Sequence, residues 1–221
     1  MKTEMTLIAD NFQMIHNIIT RGLQVSIDNL DAVIKGKTQL HEKPQGLYNY
    51  ILSLAVILHS HHNTEDELVF PYFKKILPNA PYARLNADHL VVSGLLGELH
   101  AALKKCEKDE QTDSELGKML LALIQINEMW HPHIQVETEE FLGKADALIA
   151  PEEQMRLIAL FSEHGQKLSQ PPFLVIPFLI FNLPADEREK FTRGIPAEVT
   201  GHLVPVVWKD QWESMKPYLL M

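Results

Sequence analysis

The chain has 221 residues, and its 20 Lys plus Arg against 29 Asp plus Glu leave a net charge of −9. That balance argues against nucleic acid and anionic lipid as partners, since phosphate binding needs a basic face. With 46% apolar and 22% charged residues the composition is that of a soluble globular protein able to bury a full core.

Cys106 is the lone cysteine, so no intrachain disulfide can form and a reducing cytoplasm is expected. Met1-Lys2-Thr3-Glu4 is not followed by the apolar core of a signal peptide. The longest apolar run, Phe173 to Phe181, contains Pro177 and is too short to span a bilayer, so no membrane is expected.

The first predicted helix covers residues 5 to about 35, where Leu7, Ile8, Phe12, Ile15, Ile19, Leu23, Ile27, Leu30 and Ile34 keep three-and-four spacing. Lys35-Gly36-Lys37 gives it a basic last turn and a glycine stop. A second helix starts near Pro44 and runs through Tyr48, Ile51, Leu52, Ala55 and Leu58 toward Phe73. Pro71 predicts a bend near its end, and Pro78-Asn79-Ala80-Pro81 terminates it. The third runs from about Tyr82 to Glu107 on a stripe of Leu85, Leu90, Leu95, Leu96, Leu99 and Leu103. The fourth opens with a capping box, Thr112-x-x-Glu115, and continues toward Leu148 with Pro132 predicted to kink it.

Four long helices, short connections and no alternating strand pattern predict an all-α fold, an up-down-up-down four-helix bundle over residues 1–148. From Pro151 the texture changes: eight of the chain's 13 prolines fall between Pro151 and Pro217. Pro151 and Pro184, each followed by two acidic residues, read as first-turn prolines. Residues 149–221 therefore read as a C-terminal extension of short helices packed on the bundle. Phe173-Leu174-Val175-Ile176 and Phe178-Leu179-Ile180-Phe181 are too apolar for a solvated tail.

Histidine is the unusual component, with 11 in the chain. His61 and Glu65 are four apart, which on a helix leaves them about 40° apart in rotation and about 6 Å apart along the axis. Both side chains can then reach one small volume. His133 and Glu137 repeat that spacing on the fourth helix. His16 falls on the apolar face of the first helix beside Phe12, Ile15 and Ile19, and His89 sits between Leu85 and Val92 on the third. At about 1.5 Å per residue all six come to heights of roughly 12 to 23 Å above the bundle floor, one slab near its middle.

One histidine on an apolar face is ordinarily a hydrogen-bonded core residue. Four at one level, with two carboxylates at ligand spacing and no basic residue on the inner faces, reverse that reading. Burying two carboxylates without a cation would cost several kcal/mol each. Imidazole and carboxylate without thiolate suit iron, manganese or zinc. Six ligands exceed what one open-site ion needs. Two ions bridged by Glu65 and Glu137 would leave a coordination position for oxygen, peroxide or nitric oxide.

Four elements carry a resemblance: Phe12-x3-His16, His61-His62-x2-Glu65-Asp66-Glu67-x2-Phe70-Pro71, Asp88-His89, and His133-x3-Glu137-x-Glu139-Glu140-Phe141-Leu142. Together they resemble the hemerythrin-like HHE cation-binding family over about residues 5 to 148. The resemblance implies a non-haem di-iron site with oxo and carboxylate bridges, and roles in carrying or sensing O2, in iron sensing, or in handling peroxide or NO. Oxygen carriers of the family place a second histidine one turn after the third-helix ligand, where this chain has Ser93. His62, next to His61 and three residues from Glu65, is the candidate substitute. The Pro-rich extension is the second departure, and it would cap the bundle and gate access.

Reversible binding or sensing without turnover is the first functional reading. A di-iron oxidase or peroxide-consuming enzyme is the second, but the sequence names no proton donor for it. The third is a metal-stabilised interaction module, with the Phe173 to Phe181 surface serving a protein partner or self-association. His59 reads as polar surface or as a support of the ligands, His131 beside the disturbing Pro132 as a support rather than a ligand, and His100, His164 and His202 as structural or exposed. Trp130, Trp208 and Trp212 read as packing residues.

Overall fold

Most of the apolar stripe residues become the inner faces of four long helices in the computed structural model, which describes residues 7–37, 45–106 and 113–221, but Leu90 of the third stripe and Ile34 of the first are exposed. These are α1 (Ile8–Ile34), α2 (Gln45–Thr64), α4 (Tyr82–Cys106) and α5 (Asp113–Glu140), with a short α3 (Phe70–Phe73) after α2. They close a ring in which α1 packs on α2, α2 on α4, α4 on α5 and α5 on α1. Among the described residues there is no strand. Pro44 and Thr112, expected to start the second and fourth helices, lie outside the described residues.

Gly36 takes a φ of 66°, the left-handed conformation that lets the chain leave α1 where a Cβ would be strained. The irregularity expected at Pro71 lies earlier. Residues Glu65–Val69 form a π-helical turn, closed by the Phe70 amide donating to the Glu65 carbonyl. Pro71 has no N–H to continue an α-helical ladder and its ring crowds the preceding turn, so one wide turn relieves both. The fourth helix is shorter than expected. It stops at Glu140, where Phe141 turns inward at φ −141° and is fully buried, and a 3-10 turn (Leu142–Lys144) and α6 (Ala145–Leu148) follow.

The extension begins with α7 (Pro151–Leu168), longer than the short pieces expected, with Pro151 in its first turn. It continues through α8 (Pro172–Phe181), α9 (Ala185–Thr192), a π-helical stretch (Val199–Val207), α10 (Lys209–Trp212) and a 3-10 helix (Glu213–Tyr218). Pro184 occupies the cap position before α9 rather than its first turn. α7, α8 and the last 3-10 helix all pack on α2. A side chain at Gly46 would collide with the Ser214 carbonyl, so the absent Cβ admits that last segment. Arg21 of α1 donates to the Tyr50 hydroxyl at 3.0 Å, to Asn182 and to the Tyr218 carbonyl at 2.9 Å. These bonds join bundle and extension through a part-buried polar knot.

The bundle's interior is not one continuous apolar mass. One, the upper cluster, holds Ile18, Leu23, Leu54, Leu58, Val92, Leu99, Leu123, Ile126 and Trp130. The other, the lower cluster, holds Ile8, Phe12, Val69, Phe70, Phe73, Leu85 and Phe141. On each of the four bundle strands of chain, the histidines and glutamates fall between the two.

Candidate metal centre

α1 carries His16, α2 carries His61 and His62, its π-helical continuation carries Glu65, α4 carries His89, and α5 carries His133 and Glu137. All seven are buried, Glu65 and Glu137 completely. Four helices thus bring every candidate residue into one layer, as the helical spacing predicts.

Within that layer two groups of four form, with ligand-type atoms lying within 4.8 Å of one another in each. The first is His62, Glu65, His89 and His133; the second is His16, His61, Glu65 and Glu137. Glu65 belongs to both. Its Oε1 lies 3.4 Å from His61 Nε2 and its Oε2 lies 3.4 Å from His89 Nε2. Glu137 likewise reaches both groups, with Oε2 3.4 Å from His16 Nε2 and Oε1 3.2 Å from His133 Nε2. Each carboxylate therefore faces one histidine of either group.

Two aspartates outside the layer fix the direction of two rings. His89 Nδ1 lies 2.8 Å from Asp66 Oδ1, and His133 Nδ1 lies 3.2 Å from Asp88 Oδ2. A carboxylate only accepts, so each ring donates outward and keeps its Nε2 lone pair directed inward. Those two Nε2 atoms are 3.1 Å apart. Lone pairs at that separation repel unless a proton or a cation lies between them.

The remaining inward atoms are orphans. His16, His61 and His62 Nε2 and all four oxygens of Glu65 and Glu137 are buried without a hydrogen-bond partner. Buried polar groups ordinarily find partners, and buried charges more so. Neutral imidazole nitrogens and carboxylate oxygens arranged this way are the donor set of a first-row metal. The residues fit a pair of cations.

Electrostatics of the metal-free layer agree. Burial, reinforced by neighbouring histidines, pushes His61 and His62 well below the ordinary histidine value, so both stay neutral. Burial and the adjacent Glu137 charge push Glu65 well above the carboxylate range. Burial alone would raise Glu137 too, but His133 and His16 beside it hold it well below. His133 loses by burial, yet Glu137 and Asp88 raise it above its ordinary value. Proton affinity in the layer is thus divided, raised at Glu65 and His133 and lowered at His61, His62 and Glu137.

Aromatic rings bound the layer. Trp130 stands edge-on to His16 at 5.5 Å and donates its indole N–H to Thr20 at 2.8 Å. Phe70 stacks on His89 at 5.5 Å and 16°. His62 also stacks on His89, with centroids 3.9 Å apart and planes at 14°. Trp130, read from the sequence as packing alone, also forms a wall of the centre.

Asp66 and Asp88 were not singled out by helical spacing. Their signal was adjacency, since Asp88 precedes His89 and Asp66 follows Glu65. His131 is exposed, so the expectation that it supports a ligand is not met. His59 is exposed and pairs with Asn63 at 3.0 Å. Ser93 is exposed on α4 and lines a cleft beside the centre. Tyr50 and Tyr72 bond elsewhere, to Asn182 and Glu153.

No helix among the described residues is long and apolar enough to cross a membrane. No curated protein and no solved structure matches the chain. The hemerythrin HHE cation-binding domain does match, over residues 7–145, a span that takes in all four long helices and every residue of the layer. With more than half its length so matched, the chain belongs to the hemerythrin HHE cation-binding family.

Proposed function

We propose that the chain holds two iron ions, one by His62, Glu65, His89 and His133 and the other by His16, His61, Glu65 and Glu137. We further propose that it uses them to bind or sense O2, NO, peroxide or iron itself. The bundle over residues 1–148 is the metal-binding part in this reading, and residues 149–221 an extension that braces α2. The observation that carries it is the set of seven buried side chains whose inward atoms converge in two groups sharing Glu65. Zinc and manganese suit the same donors, and iron is the ion the family resemblance implies.

Bound iron would supply a redox-active Lewis acid with room for a small ligand. The protein's own part is orientation and exclusion. Asp66 and Asp88 hold His89 and His133 in the tautomer that presents Nε2 inward. Trp130, Phe12 and Phe70 keep water from the imidazole rings they face. Glu65 and His133 give up protons to accept cations.

Elemental analysis after iron-replete expression is the test. About two irons per chain are expected, as two groups of ligands require. Stoichiometric zinc with no iron under those conditions would overturn the di-iron reading.

A further inference from the structure

The two ends of the layer differ in what lies outside them. Beyond His16 and His61 stand aromatic rings: Phe12 is 6.1 Å from His16 and 5.9 Å from His61, and Phe161 of α7 closes on Phe12 at 6.3 Å. Trp130 spans both ends, 5.9 Å from His61, 6.2 Å from His62 and 6.3 Å from His133, so the difference between them rests on Phe12 and Phe161. Phe12, Phe161 and Trp130 are all buried. Beyond His62 and His89 there is instead a cavity of about 120 Å³ between α2 and α4. His62 and His89 form part of its wall, while His59, Asn63, Asp66 and Ser93 supply polar atoms around it. That volume accommodates several waters or one small ligand. His59, Leu90 and Ser93 are exposed, so its mouth faces solvent. His62 is buried much as His61 is, at 6% and 8% exposed, but of the two only His62 lines the cavity, and its Nε2 has no hydrogen-bond partner.

We propose that small hydrogen-bonding ligands, such as azide or hydroperoxide, reach the centre through this α2/α4 cleft. They arrive at the His62–His89 end, and Ser93, Asn63 and His59 form the entry that selects them. Ser93, small and exposed, lines this mouth. The polar rim suits small ligands that form hydrogen bonds, and its size excludes bulky organic substrates. The proposal rests on the two-metal reading for its destination but not for its route.

Stopped-flow binding of azide to the ferric protein reads the route. Ser93→Trp places an indole across the mouth and is expected to slow azide association about tenfold or more with iron content unchanged. An unchanged rate overturns the proposal, as does equally fast binding of 4-phenylimidazole by the unaltered protein. Should Ser93→Trp fail to load iron, Asn63→Phe on the opposite rim serves the same comparison. Metal-free protein gives an independent reading. Diethyl pyrocarbonate, with adducts mapped by mass spectrometry, is expected to acylate His62 or His89 before His16 or His61. Modification of His16 or His61 first overturns the route even if no iron binds. Absence of metal in every preparation, with His62 acylated first, removes the two-metal reading and leaves the cleft.

Discussion

The polar layer and the two apolar clusters that sandwich it are built by the same helices, yet they are stabilised in different ways. Leu23, Leu58 and Leu123 meet their requirements on folding, because burial itself removes apolar surface from water. Glu65 and His61 do not, because burial strips their solvation and leaves their inward atoms without partners. The apolar clusters are complete within the chain, and the layer between them is complete only with something added. In the two-metal reading, the protein's stability depends on that addition.

The widest separation between layer and clusters should come from removing the metal. At free metal a thousandfold above Kd the folded state gains about 4 kcal/mol, so chelation or Glu65→Ala should lower the melting temperature by a corresponding amount. Melting curves with and without chelator would coincide if the layer needs no cation. Leu123→Ala, in the fully buried upper cluster, should cost about 2–5 kcal/mol. That loss should be the same in loaded and stripped protein, and a loss confined to one form would erase the distinction drawn here.

Asp66→Asn and Asp88→Asn probe the border between the two environments. Each should weaken metal binding about 10- to 100-fold through a misdirected histidine, with little change in the melting of stripped protein. Competition with a calibrated chelator measures the first, and equal destabilisation of both forms would assign the aspartates a merely structural part. The smallest effect is protonic. Glu65 and His133 are both raised in the metal-free fold, so they hold protons that cations must displace. Loading should therefore release protons into weak buffer and tighten as pH rises. Affinity independent of pH would contradict these shifts.

Much of the layer was legible because its chemistry and its helical period coincide. His16, His61, His89 and His133 each interrupt an apolar stripe at one height, and the two glutamates follow their histidines by four residues. Phase errors were harder to see. The π-helical turn after Thr64 changes the helix by one residue, and nothing in Glu65-Asp66-Glu67-Leu68-Val69 marks it except the proline beyond. The end of the fourth helix was missed for a related reason. Phe141 reads as the next residue of an apolar stripe, while in the fold it breaks the helix to enter the lower cluster. The cleft beside Ser93 is a property of two neighbouring helices, and no single stripe records it.

The wide turn at Glu65–Val69 has a mechanical meaning of its own. It works as a phase adjuster on a screw: the helix above it is keyed to the upper cluster through Leu54 and Leu58, and the piece below to the lower cluster through Val69, Phe70 and Phe73. An ideal α-helix advances about 100° per residue, so rewinding this turn as α-helix with all five residues kept would rotate the lower piece by about that angle. Phe70 would then swing off the face of His89, and Phe73 would leave Phe141, which it meets at 5.2 Å. One residue of slack lets a single helix mesh with two cores that do not share its pitch.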